Sequence, residues 1–140
     1  MNAGPKDKAG LIPVVATVIF KKAAYLFCKR PAHKRHGNLW EFPGGKIKTG
    51  ESIEEAARRE LKEELQVELT SLGNLLYTAQ DPGSPFLIHF VEVDISGEPK
   101  TVEHQEIRWF KVNDLYELDL APADAEFVRE KILSIHEKRI

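Results

Sequence analysis

The stretch from Ser52 to Val67, SIEEAARRELKEELQV, constrains this chain more than any other part of it. Ser52 followed three residues later by Glu55 is a capping-box pattern, in which each side chain takes up the other's free backbone N–H at a helix start. Turning ~100° per residue, Ile53, Ala57, Leu61 and Leu65 then form one drifting apolar stripe. The spacing predicts a helix over about Ile53–Leu65 with that stripe against a core. Glu60, Glu63 and Glu64 fall on the neighbouring stripe at i, i+3 and i+4, while Glu55, Arg58 and Lys62 face outward. Carboxylates at that spacing repel one another and weaken an isolated helix. Two readings compete. Arg58, Arg59 and Lys62 neutralise an ordinary solvated face, or the glutamates hold a hard divalent cation, since Mg²⁺ takes oxygen ligands and bridges carboxylates to phosphates.

Around this helix the pattern is mixed. Leu11–Phe20 and Ala24–Lys29 read as two strands about Lys21–Lys22–Ala23, hence a hairpin. Pro31–Gly37 is a basic loop. Asn38–Phe42 is a short apolar segment that Pro43–Gly44–Gly45 cuts off, since a helix or strand does not easily continue there. Val67–Ala79 looks extended, with a break at Gly73–Asn74, and Asp81–Pro82–Gly83 is a turn signal. Phe86–Ile95 and Ile107–Val112 read as further strands. Ala123–Lys138 has helical spacing at Phe127, Ile132 and Ile135. Strands mixed with two helices place the chain in the α/β or α+β class.

With 140 residues and 42% hydrophobic content, the chain suits one domain with a real core, Leu11–Ile140, after a short frayed tail at residues 1–10. A net charge of −2 exerts no overall pull toward nucleic acid or membrane, so a polyanionic ligand needs local positive charge or a metal ion. The apolar run Leu11–Phe20 follows Lys6 and Lys8 as a signal-peptide core does. Lys21 and Lys22 follow it directly, it lacks a small-residue cleavage site, and it is too short to span a bilayer. Its β-branched residues favour a core strand. The single cysteine, Cys28, excludes an internal disulfide and suits a reducing, cytoplasmic setting; its apolar surroundings read as a buried small hydrophobe.

The helix and its approach also carry a spacing. Gly45, then Glu51, then Arg59-Glu60-Leu61-Lys62-Glu63-Glu64-Leu65-Gln66-Val67 resembles the signature of the Nudix hydrolase family: Gly, five residues, Glu, seven residues, Arg-Glu-apolar-x-Glu-Glu-x-Gly-apolar. One position departs, Gln66 standing where the family has Gly. That position follows the helix end, where a left-handed residue is favoured, so the departure bears on local stability rather than chemistry. Leu39-Trp40-Glu41-Phe42-Pro43-Gly44-Gly45-Lys46 resembles the entry to this helix in the MutT-like and CTP pyrophosphohydrolase-like members, and Leu120-Ala121-Pro122-Ala123-Asp124 resembles a late segment of the latter branch. The likeness runs from about Val14 to the last helix.

The resemblance implies an α/β/α sandwich, with a mixed sheet between helices, and hydrolysis of a (d)NTP to a (d)NMP and pyrophosphate in nucleotide-pool cleansing, on CTP-like or oxidised guanine nucleotides. It implies Mg²⁺, with Mn²⁺ as an alternative, held by Glu60, Glu63, Glu64 and the Gly44 carbonyl. Glu51 would orient Arg59, which would keep the glutamates aligned. Glu103 and Glu106 are candidates for an extra ligand or the base that takes a proton from water, against solvated turn residues. Arg30 and Lys46 would meet substrate phosphates, with Glu41 and Phe42 beside them; the wider basic run around Arg30 more often makes an exposed loop. Asp124 would read an exocyclic amine or ring N–H of the base, and the competing reading is a helix N-cap. Trp40, Phe42 and Trp109 stack on a base or pack in the core. The rival functions are hydrolysis of an RNA 5′ end or of a nucleotide sugar such as ADP-ribose, and a non-catalytic nucleotide-binding module. No membrane and no stable nucleic-acid partner is expected, and the chain would act as a monomer or homodimer.

Overall fold

The computed structural model describes residues 10–102 and 106–139. A two-residue alternation along the central strands organises it. In β1 (Ile12–Val18), Val15 faces one side while Ala16 and Val18 face the other. In β3 (Ala24–Lys29), Leu26 and Cys28 oppose Phe27, and in β7 (Phe86–Ser96), Val91, Val93 and Ile95 oppose Phe90. Strands with both faces apolar need cover on both faces. One cover is α1 (Ile53–Leu65), through the fully buried Ala56, Ala57, Leu61 and Leu65. The other is the C-terminal helical segment, through Ala123, Phe127, Val128 and Ile132. The result is helix, mixed β-structure and helix in three layers. Truncating Leu61 or Leu65 to Ala would cost about 2–5 kcal/mol.

The strands form two four-stranded sheets. One has the order β5 (Gly44–Lys46), β1, β7, β6 (Glu68–Gln80), with β1 and β7 parallel and the other pairs antiparallel. The other has β2 (Phe20–Lys21), β3 and β4 (Trp40–Glu41), with β8 (Ile107–Lys111) also on β3. No helix among the described residues is long and apolar enough to cross a membrane. Leu11–Phe20 supplies the buried β1 instead.

The structure corrects several expectations. Leu11–Phe20 and Ala24–Lys29 do not form one hairpin. Both edges of β1 are taken, by β5 and β7, so only β2 is left to pair with β3, through a tight turn at Lys22 and Ala23, whose φ angles are 51° and 64°. The short strand before Pro43 does stop, at Glu41, but Gly44 and Gly45 at once begin a new strand, β5. A Cβ on Gly44 would lie 1.9 Å from the Val15 carbonyl oxygen, so glycine is what lets β5 pair so closely with β1. The break at Gly73–Asn74 is a register shift between Leu72 and Leu75 within the continuous β6.

The last helix begins earlier and is irregular. Ala121 is its N-cap and Pro122 its first residue. α2 (Pro122–Phe127) passes into a π-helical segment (Val128–Leu133) and then α3 (Ser134–Arg139), with helical dihedrals at both junctions. The wider π turn shifts the apolar stripe, so Ile135 lies exposed while Phe127 and Ile132 stay buried.

Candidate active site

α1 forms as its sequence dictates. The Ser52 hydroxyl accepts from the Glu55 N–H at 3.1 Å, and the Glu55 carboxylate accepts from the Ser52 N–H at 2.9 Å. At the far end Gln66 is left-handed, φ 57° and ψ 36°, and its N–H turns back to the Leu61 and Lys62 carbonyls. The helix thus ends in the conformation a glycine adopts freely, made here by a residue with a side chain.

The core stripe of α1 fixes where the glutamates go. Glu60 and Glu64 are half-buried and lie against β5; Glu63 is exposed. The Glu64 carboxylate accepts from the Gly44 N–H at 3.2 Å. A Cβ on Gly45 would sit 2.5 Å from the Glu60 carboxylate, so this glycine admits the close approach of helix and strand. Arg59 lies among the acids. Its guanidinium makes a fork to both oxygens of Glu51, at 2.7 and 2.8 Å, and reaches Glu60 at 2.7 Å, Glu63 at 3.2 Å and the Lys46 carbonyl at 3.0 Å. Its hydrogen bonds with Glu51 hold that carboxyl down at about 2.

Not every carboxylate is satisfied in this way. Burial, with Glu60 and Glu41 nearby, pushes Glu64 up to about 8. Burial also raises Glu60, against the pull of Arg59. Among the described residues no three His, Cys, Asp or Glu side chains are already drawn together into a ligand set. The donors nonetheless suit a hard divalent cation. They are all oxygen, they sit on one rigid helix beside an open glycine strand, and their charge is under-compensated where they are buried.

Beside the glycine strand lies a cleft of about 230 Å³. Gly44, Gly45 and Lys46 line one part of it, and Arg30, Glu41, Phe42 and Asp124 line another. Asp124 arrives there because the segment before α2 docks on β4: the Trp40 N–H donates to the Asp119 carbonyl and the Ala121 N–H to the Trp40 carbonyl. The Asp124 carboxylate accepts from the Phe42 N–H at 3.0 Å, and burial, then the charge of Glu41, holds its pKa well above the usual carboxylate range. The helix N-cap reading of Asp124 fails, since Ala121 is the cap and Asp124 lies inside the first turn. Arg30 donates to both oxygens of Glu41 at 3.0 Å. The Lys46 ammonium lies 5.3 Å from the centre of the Phe86 ring.

The aromatics divide. Phe42 both lines the cleft and packs on Phe27, Phe90 and Phe127; Trp40 is buried, and Trp109 packs half-buried against the α1 core. Cys28 is buried, with its thiol pushed up by that burial. The Glu106 side chain is exposed and pairs with Arg108. Glu103 lies outside the described residues. Arg35 and His36, members of the basic run that the sequence favours as an exposed loop over a polyanion contact, and Asp81, which it marks only as a turn residue, all line the cleft. The basic loop was the visible signal, but its partner, Asp81, is 45 residues from His36 and looked like an ordinary turn residue.

A family model described as the NUDIX domain matches residues 10–131. The CTP pyrophosphohydrolase of Escherichia coli (strain K12) is 37% identical over 117 residues, covering 81% of this chain and 86% of that protein. The 8-oxo-dGTP diphosphatase of Proteus vulgaris is 39% identical over 75 residues, covering 54% of this chain and 67% of that one. A solved MutT structure, from work on Aliivibrio salmonicida and Vibrio cholerae, superimposes with a TM-score of 0.76 at 33% identity, over 88% of this chain and 98% of the other. Fold, signature helix and family model agree, and the chain belongs to the Nudix hydrolase family.

Proposed function

We propose that this protein hydrolyses nucleoside triphosphates to monophosphate and pyrophosphate, using Mg²⁺, or Mn²⁺ in its place, held by Glu60, Glu63, Glu64 and the Gly44 carbonyl. The observation that carries this reading is the cleft, which runs from the glycine strand beside Glu60 and Glu64 to the buried Asp124 and Phe42. It offers a place for a charged polyphosphate at one end and a flat polar base at the other. Nudix hydrolases generally need divalent cations. When bound, the cation polarises phosphoryl oxygens and lowers the pKa of a water.

The chain's own groups do the rest. Glu51 clamps Arg59, and Arg59 in turn keeps Glu60 and Glu63 in place. Lys46 and Arg30 supply positive charge along the cleft for phosphate oxygens. A glutamate takes the proton from the attacking water. Asp124 reads the base edge. Its carboxyl accepts from an exocyclic amine or a ring N–H of the base. Cytosine N4 and guanine N1 and N2 offer such donors. The similarity to a CTP pyrophosphohydrolase and an 8-oxo-dGTP diphosphatase supports the same class. The setting would be cleansing of the nucleotide pool in the cytoplasm, by a monomer or homodimer acting on free nucleotides.

The test is product analysis with Mg²⁺ on the canonical NTPs and dNTPs, 8-oxo-dGTP, 5-hydroxy-dCTP, ADP-ribose and a triphosphorylated RNA. Pyrophosphate and monophosphate from one or two cytosine or guanine nucleotides are expected. Turnover of RNA or ADP-ribose alone would refute the free-nucleotide role, and silence on all of them would refute the enzyme reading for this chain.

A further inference from the structure

The loop between β3 and β4 belongs to one sheet and the turn between β6 and β7 to the other, yet the two are clipped together at the cleft. Asp81, at the start of the turn, keeps its carboxylate only 8% exposed and shares it between an arginine and a histidine. Arg35 Nε donates to it at 3.2 Å and His36 Nε2 lies 2.9 Å from its other oxygen. Arg35 also donates from Nη2 to the Pro82 carbonyl at 2.7 Å. The loop being held has a specific shape. His36 and Asn38 both have left-handed backbones, φ 58° and 65°, a conformation that Asn and His take up more readily than most residues with side chains.

The clip reaches the substrate-facing groups through one further contact. The backbone carbonyl of Arg35 accepts from Arg30 Nε at 2.6 Å, and Arg30 holds Glu41 with its Nη1. The order of contacts is therefore Asp81, the loop, Arg30 and Glu41. An exposed ion pair of this kind would carry little, but this acceptor is buried and bridges two sheets.

We propose that Asp81 is a positioning residue for the nucleotide: by clipping Arg35 and His36 it holds the β3–β4 loop across the cleft and sets Arg30 against Glu41. This rests on the reading of the cleft as the nucleotide site. Its consequence is a cost in binding rather than in chemistry, because the helix glutamates are not part of the contact chain.

The experiment compares Asp81→Asn and Arg35→Met with the wild type in the full chain. It measures KM and kcat for the preferred nucleotide with Mg²⁺, together with amide hydrogen exchange at Lys34, Asn38 and Leu39. KM should rise about tenfold in Asp81→Asn with kcat held within about twofold. Arg35→Met should move KM the same way by less, and the loop amides should exchange faster in both. In an Arg30→Ala background, Asp81→Asn should add nothing further to KM. An unchanged KM, an equal loss in kcat, or a full Asp81 effect without Arg30 would overturn the proposal. Arg35 is half exposed, so Arg35→Met carries the same test should Asp81→Asn not fold. If the wild type turns over no nucleotide, the functional reading fails on that control alone. Loop exchange then judges the clip: faster exchange supports it and unchanged exchange overturns it.

Discussion

The glutamate cluster and the cleft beside it are built on opposite plans. The cluster comes from one helix and its approach: Glu60, Glu63 and Glu64 lie within five consecutive residues, and Arg59 and Glu51 stand just before them. The Asp124 part of the cleft comes from distant segments. Asp124 meets the Phe42 N–H across 82 residues, and His36 meets Asp81 across 45. The first is held by a rigid helix whose apolar stripe is locked in the core, so its geometry survives small losses elsewhere. The second exists only when two sheets and the last helix are docked. Chemistry placed on a single stiff element is robust, and recognition assembled from many is tunable.

Substitutions separate the two. Glu63→Gln leaves an exposed side chain of nearly the same shape, so stability should hold while kcat falls about 10³-fold, the several kcal/mol that a metal-held phosphoryl oxygen supplies. Pyrophosphate release checks it, and an active Glu63→Gln would remove the helix from the chemistry. Arg59→Ala should cost about 10–100-fold in kcat or in Mg²⁺ affinity, as loss of a group orienting metal ligands does. Metal titration of activity reads this directly. In the cleft, Asp124→Asn should leave kcat on the best substrate much closer to wild type and shift the preference between cytosine and guanine nucleotides by about 10-fold, within the roughly 1–3 kcal/mol a base-edge pair is worth. A ratio that does not move would take base reading away from Asp124.

Two smaller effects lie in stability. Glu64 titrates at about 8 in the folded chain, above its ordinary 4.5. Between those values the folded state binds more protons than the unfolded one, so its stability falls as pH rises. Metal-free protein should therefore lose stability to urea from about pH 5 to pH 8. Glu64→Gln should flatten that slope, and saturating Mg²⁺ should reverse it. Gln66→Gly should gain about 1 kcal/mol by relieving the left-handed side-chain residue, with kcat unchanged. A denaturant midpoint that does not rise would mean that the glycine's extra freedom in the unfolded chain cancels the relief.

The sequence by itself determined whatever rests on neighbours along the chain. The Ser52–Glu55 box, the Ile53–Leu65 span and the face carrying three glutamates all follow from contacts within a few residues, so periodicity and capping suffice to read them. The family's fixed spacing then gave those residues a chemistry. Only the tertiary structure decided which strands pair, because β1 ends up beside β7 and β5 rather than in the local hairpin that its turn suggests. It alone made Gly44 and Gly45 the start of an edge strand, since the reason for those glycines is Val15 and Glu60, residues far away in sequence. It also converted a basic loop and a plain turn residue into a buried clip. Long-range pairing depends on which edges remain free and which charges meet after docking, and a single sequence holds no local trace of either.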